Sequence, residues 1–198
     1  MTSFYDNYKI HFEEFNLHEN QFDNPSRLHG VMHSYRVMIH TLYLGFITGR
    51  EKEARNAFFA AYIHDMARKH DGYCTKHGAD AAQHKLPEYA EKFIKNGATQ
   101  KDLVVIGKAV TLHSTGLELP KEDIDWHTVA ILKDADALDR IRLGQHDLNP
   151  SFLRYKETHN CISFGVKLYN ATQTKKIHSL NELMIVALDA SIETGLNA

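Results

Sequence analysis

Apolar residues recur at helical spacing along most of the chain, and no segment shows the strict alternation of a half-buried strand. The stretch LHGVMHSYRVMIHTLYLGFITG carries this pattern from residue 28 to a stop at Gly49, and residues 52–68 form the next helix, with Ala57, Phe58, Ala61 and Tyr62 on its buried side. A more polar helix follows over 77–95 and ends at Asn96-Gly97, where a left-handed cap fits. Thr99 is placed to cap QKDLVVIGKAVTLH, residues 126–142 read as a further helix, and Ser179 with Glu182 forms the capping signature of SLNELMIVALDASIETG. Residues 143–176 give no clear pattern.

Prolines occur only at 25, 87, 120 and 150, which leaves long uninterrupted runs for helices. The expectation is an all-α protein of one domain: an N-terminal extension over 1–25, a helical core over 26–142, and a C-terminal helical part over 143–198 packed on the same domain. There is no internal repeat and no low-complexity segment.

Charge narrows the partners. With 23 basic and 25 acidic residues the net charge is -2, so neither a long nucleic acid nor an anionic membrane is expected, and any anionic ligand must be held by a local cluster. No apolar run approaches the roughly 20 residues needed to span a bilayer. Cys74 and Cys161 form no CxxC pair, and the first residues lack a secretory pattern, so a reducing cytoplasm is expected.

Fourteen histidines are a high number, and histidine is the commonest metal-ligand side chain. Several fall in ordered surroundings. His29 and His33 stand four residues apart and can share a helix face, His64-Asp65 closes the second helix, and Asp136 lies in DADALDR. Two imidazoles and two carboxylates on a rigid helical frame suit a divalent ion with positions left open for water and substrate.

The patterns HGxxHxxRV at 29–37, HDMARKHDG at 64–72, KHGADAA at 76–82 and LKDADALDR at 132–140 together resemble the HD-domain superfamily of metal-dependent phosphohydrolases over roughly residues 26–142. The resemblance implies an HD-like helical bundle whose metal lies between central helices, held by His33, His64, Asp65 and Asp136, with Asp136 chosen because Ala135-Asp136-Ala137-Leu138 matches the family core. It implies that His77 and His113 complete a second metal site or contact the scissile phosphate. The ion is Mn, Mg, Zn, Ni or Fe, one or two per chain. Asp134 and Asp139 are candidates for orienting a ligating imidazole, with solvated helix-surface acids as the plain alternative.

The implied activity is phosphomonoester or phosphodiester hydrolysis on a nucleotide or other small phosphorylated metabolite through a metal-activated water. Asp65, His113, His77 and Arg68 are the expected catalytic residues. His29, Arg36, Lys69, Arg140, Arg142 and Arg154 are the expected substrate contacts, since guanidinium groups hold phosphate oxygens bidentately. A homodimer is compatible with the sequence. Two other classes stay open: a diiron oxygenase of the same fold using O₂, for which His77 and His113 would supply ligands, and a degenerate ligand-binding module. Each histidine and arginine also has an ordinary reading as a helix-end or surface residue.

Overall fold

A computed structural model describes residues 3–144 and 146–195; residues 1, 2, 145 and 196–198, parts of the predicted N- and C-terminal segments, lie outside the described residues. The described chain is all-helical. Helix α1 (Val31–Thr48) and helix α2 (Glu51–Ile63) form a tight hairpin, because Gly49 turns left-handed at φ 64° and its N–H closes onto the last carbonyls of α1. The histidine-aspartate pair therefore lies just beyond α2, in the turn at 64–67, and not within it as the periodicity predicts.

Helix α3 (His77–Asp80) passes through a π-turn at Ala81–Lys85 into helix α4 (Leu86–Lys95). Pro87 lacks the N–H that the Gln83 carbonyl would otherwise accept, and the widened turn accommodates it. Helix α5 (Gln100–His113) is capped as expected: the Thr99 hydroxyl accepts from Asp102 N–H and the Asp102 carboxylate accepts from Thr99 N–H. Helix α6 (Trp126–Leu138) ends four residues before the periodic pattern does and tightens into a 3-10 turn over Asp139–Leu143.

The segment that gave no sequence pattern contains helix α7 (Lys156–Asn160) and helix α8 (Ile162–Thr174), and helix α9 (Leu180–Glu193) follows. Ser179 caps α9 by accepting from Glu182 N–H, but the Glu182 carboxylate reaches back to His178 N–H and not to the cap residue, so the box is open by one position.

Helices α1, α2 and α6 pack on one another, with α5 against α2 and α6. The residues before 26 belong to this core. Phe15 is fully buried between Phe58, Phe59, Tyr62 and Phe93, at ring-centroid distances of 5.1 to 6.3 Å. Such aromatic pairs each contribute about 0.5–1.5 kcal/mol beyond their buried area, so the N-terminal stretch is a structural part of the bundle. No helix among the described residues is long and apolar enough to cross a membrane.

His40 is buried in α1 against the Phe164 ring, and neither ring nitrogen has a hydrogen-bond partner. Burial pushes its imidazole down to about 4. The unfolded chain, with an ordinary histidine value near 6.5, binds the proton first, so stability is lost as pH falls from about 6.5 to about 4. Between pH 7 and pH 5 this group contributes a loss of about 2 kcal/mol. In urea unfolding the difference between wild type and His40→Leu is expected to change by that amount across the interval; a pH-independent difference would mean that His40 does not titrate in the core.

Candidate metal centre

Five elements deliver the chemistry to one point. His33 comes from the first turn of α1, His64 and Asp65 from the turn after α2, His77 from the start of α3, His113 from the end of α5, and Asp136 from the last turn of α6. Gly78 makes the α3 approach possible: a Cβ there would stand 2.3 Å from the Val110 carbonyl oxygen, so only glycine brings His77 beside His113.

The Nε2 atom of His33 lies 3.1 Å from Nε2 of His64, 3.4 Å from Asp65 Oδ2 and 3.4 Å from Asp136 Oδ1. Adjacent ligands of an octahedral ion at about 2.1 Å stand about 3.0 Å apart, so this spacing has the scale of a coordination sphere. What fills these atoms is set from outside. The Nδ1–H of His64 donates to the Ala61 carbonyl at 2.7 Å, and that of His113 to the Val110 carbonyl at 2.5 Å. Both carbonyls belong to a last helical turn, where no backbone N–H is available to take them. The Nδ1–H of His33 donates to the buried carboxylate of Asp139 at 2.7 Å. Each ring thus turns a lone pair inward at Nε2.

The result is a buried set of acceptors facing acceptors. Burial pushes the His64 imidazole down to about 3, so it is neutral and a competent ligand at physiological pH. Burial alone would raise the Asp65 carboxyl, but the imidazoles around it, His64 first and then His113, His29 and His33, hold it well below the ordinary carboxylate range. Asp136 is held down in the same way, by His33 and His64 against its own burial. The His33 Nε2 lone pair thus stands 3.1 to 3.4 Å from His64 Nε2 and from one carboxylate oxygen each of Asp65 and Asp136, with His64 Nε2 3.7 Å from Asp65 Oδ2, and a cation is the group that satisfies such acceptors. The residues fit a metal ion.

Asp65 also faces a second group. Its Oδ2 turns to His29, His33 and His64, and its Oδ1 lies 3.0 Å from His77 Nε2, 3.7 Å from His113 Nε2 and 2.9 Å from Arg68 Nε. His77 and His113 stand 3.0 Å apart, Nε2 to Nε2. The two histidines differ in one respect. His113 has an acceptor for Nδ1–H, whereas Nδ1 of His77 is buried without a partner, so a proton on Nε2, donated to Asp65, suits His77 best. Burial lowers its imidazole, with Asp65 opposing.

These groups open onto a cavity of about 690 Å³, whose walls include His29, Asp65, Arg68, His77, His113, Asp136, Arg140 and Arg142. Asp136 is the partly exposed ligand candidate, at 27% of its side chain. The expected substrate contacts divide. His29 precedes α1, and its Nδ1 lies 3.1 Å from Asp65 Oδ2, so it belongs with the potential ligands as much as with the wall. Arg142 donates to the Leu28 carbonyl and approaches His29 at 3.3 Å, and Arg140 is exposed at the rim.

Arg36, Lys69 and Arg154 are not among the cavity walls, which corrects the expectation for these three. Arg36 is buried behind the site, where it pairs with Asp139 and donates to Thr172. Lys69 pairs with Asp23 at 2.6 Å on the outer surface. Arg154 is clamped between Glu118 and Asp134 at 2.5 and 3.0 Å. Asp134, expected to orient an imidazole, instead accepts from Arg154 N–H, Tyr155 N–H and the Thr158 hydroxyl, which ties the C-terminal part to α6. Asp139 alone of the pair orients a histidine.

Asn149 and Phe152, from the stretch after DADALDR that reads in sequence as either a cap over the pocket or a scaffold, line the cavity at the 3-10 turn Pro150–Phe152, and Tyr73, which carries no sequence signal, lines it as well. Comparison of the chain with protein-family models, with curated proteins and with solved structures finds no match in any of the three.

Proposed function

We propose that this protein is a metal-dependent phosphohydrolase acting on a small phosphorylated molecule, as the resemblance of its motifs to HD-domain proteins implies. One observation carries the reading: buried His33 and His64, their Nδ1 protons directed outward, present acceptor atoms beside Asp65 and Asp136, the two carboxylates that line a cavity bordered by arginines. A divalent ion held there supplies a Lewis acid for a phosphoryl oxygen and lowers the pKa of bound water. Hydrolysis adds water across the ester: its oxygen joins phosphorus, the bond to the leaving oxygen breaks, and one proton ends on that oxygen.

The chain's own groups divide the remaining work. Arg68 holds Asp65 Oδ1 through Nε, while its Nη1 is braced by the Gly72 carbonyl at 3.2 Å, so the carboxylate keeps its orientation. His77, with a proton on Nε2, is the donor to an incoming phosphoryl or leaving oxygen, and the Arg140 guanidinium at the rim attracts the anion. The cavity falls within the roughly 300–1,000 Å³ of small-molecule sites, which fits a metabolite better than a polymer.

A second reading, an oxygenase holding two irons, draws on the division of Asp65 between two groups of histidines. The partnerless Nδ1 of His77 weighs against it, since a ligating imidazole ordinarily donates its other N–H to an acceptor. Elemental analysis of the full chain purified without chelator, with a phosphate-release screen over phosphomonoesters, separates the two. One or two redox-inert ions with phosphate release is the expected result. Two irons per chain with charge-transfer absorption after oxidation favours the oxygenase, and a metal-replete protein that releases no phosphate overturns the hydrolase.

A further inference from the structure

Among the described phenylalanine, tyrosine and tryptophan side chains only two are exposed, Tyr73 at 92% and Phe152 at 70%, and both line the cavity that opens onto the metal centre. Every other one is buried or half-buried. Exposing an aromatic ring forgoes the largest burial gain a side chain has, so two such rings at one mouth, contributed by loops about eighty positions apart in sequence, mark a surface kept for a ligand. Both loops are anchored. Arg68 grips the first through the Gly72 carbonyl, and Arg154, held by Asp134, grips the second through the Phe152 carbonyl at 3.0 Å.

We infer that Tyr73 and Phe152 hold an aromatic or heteroaromatic ring on the leaving group of a substrate with one phosphate. This deepens the phosphohydrolase reading and rests on it. The charges at the mouth limit the phosphate count. Asp71 and Asp147 are exposed carboxylates in the cavity wall, Arg140 lies 3.7 Å from Asp147, and Arg142 is turned inward to Leu28 and His29. A second phosphate beyond the metal centre meets balanced charge, not a basic lining. A flat uncharged ring meets two aromatic side chains, and Asn149, in the same wall, offers an amide for a polar ring edge.

The test is calorimetric titration of the metal-loaded full chain, under argon, with phosphonates whose P–C bond water does not cleave: methylphosphonate, benzylphosphonate and the phosphonate analogue of AMP, with inorganic phosphate as reference. The aromatic compounds are expected to bind about ten- to hundred-fold tighter than methylphosphonate, the range of base–aromatic stacking. Tyr73→Ala and Phe152→Ala are each expected to lower that ratio by about three- to tenfold, and Tyr73→Phe to keep it. The benzyl and adenosine arms tell a simple aryl group from a nucleobase. Equal binding of all three phosphonates, or a preference that survives both alanine variants, overturns the inference and leaves the hydrolase reading intact. Failure of every phosphonate and of phosphate to bind removes both.

Discussion

Asp65→Asn is expected to strip the protein of its metal. The substitution keeps side-chain size, but it removes the one carboxylate that both histidine groups share and presents amide hydrogens that donate to the imidazole lone pairs an ion would otherwise take. Loss of an outer partner of a ligand costs about 10–100-fold in metal affinity, and loss of a ligand that also carries charge is expected to exceed the upper figure. Stability provides a readout independent of activity. At free metal about a hundred times Kd the wild type gains about 2.7 kcal/mol from the ion, so chelation lowers its Tm by about 5–10 °C for a chain of this size. The variant is expected to unfold at the same temperature with and without chelator. Metal stoichiometry and chelator sensitivity equal to wild type would place any bound ion elsewhere in the chain.

Asp65 was legible in the sequence for a reason that does not extend to the whole site. Helix periodicity located α1, α2, α5 and α9 to within a few residues, and residues that end helices, such as His64 and His113, advertise themselves because the last carbonyls need partners. Pairings between distant elements leave no such trace. Arg36 stands three residues after His33 and reads as a substrate contact, yet its partner, Asp139, lies 103 positions away. Asp134 and Asp139 read alike in DADALDR; only the packing of α6 turns the first toward Arg154 and Thr158 and the second toward His33. Tyr73 and Phe152 sit in loops, where no period distinguishes a ring kept for a ligand from one left over.

Asp139→Asn is expected to produce the largest combined loss of stability and metal affinity, and its two effects can be separated. The carboxylate is fully buried and accepts from Arg36 Nε at 2.5 Å, Arg36 Nη2 at 3.0 Å and His33 Nδ1 at 2.7 Å. Burial would raise this carboxyl, but the Arg36 guanidinium and the His33 hydrogen bond hold it far below the ordinary range. The folded value therefore lies under the unfolded one, near 3.9, so the contribution is complete above about pH 5 and is lost as pH falls through the acid range. At pH 7 the variant leaves the Arg36 cation buried without its anion, at a cost of about 3–5 kcal/mol in urea unfolding. The gap to wild type is expected to narrow as pH falls below about 4, where the carboxyl of the unfolded wild type takes up a proton and that of the folded protein does not. Metal affinity falls a further 10–100-fold, because an amide no longer obliges His33 to carry its proton on Nδ1. Combining Asp139→Asn with Arg36→Met removes the orphaned cation and is expected to recover most of the stability, while the metal affinity stays low. Recovery of both together would mean that Asp139 acts on the site only by keeping the bundle folded.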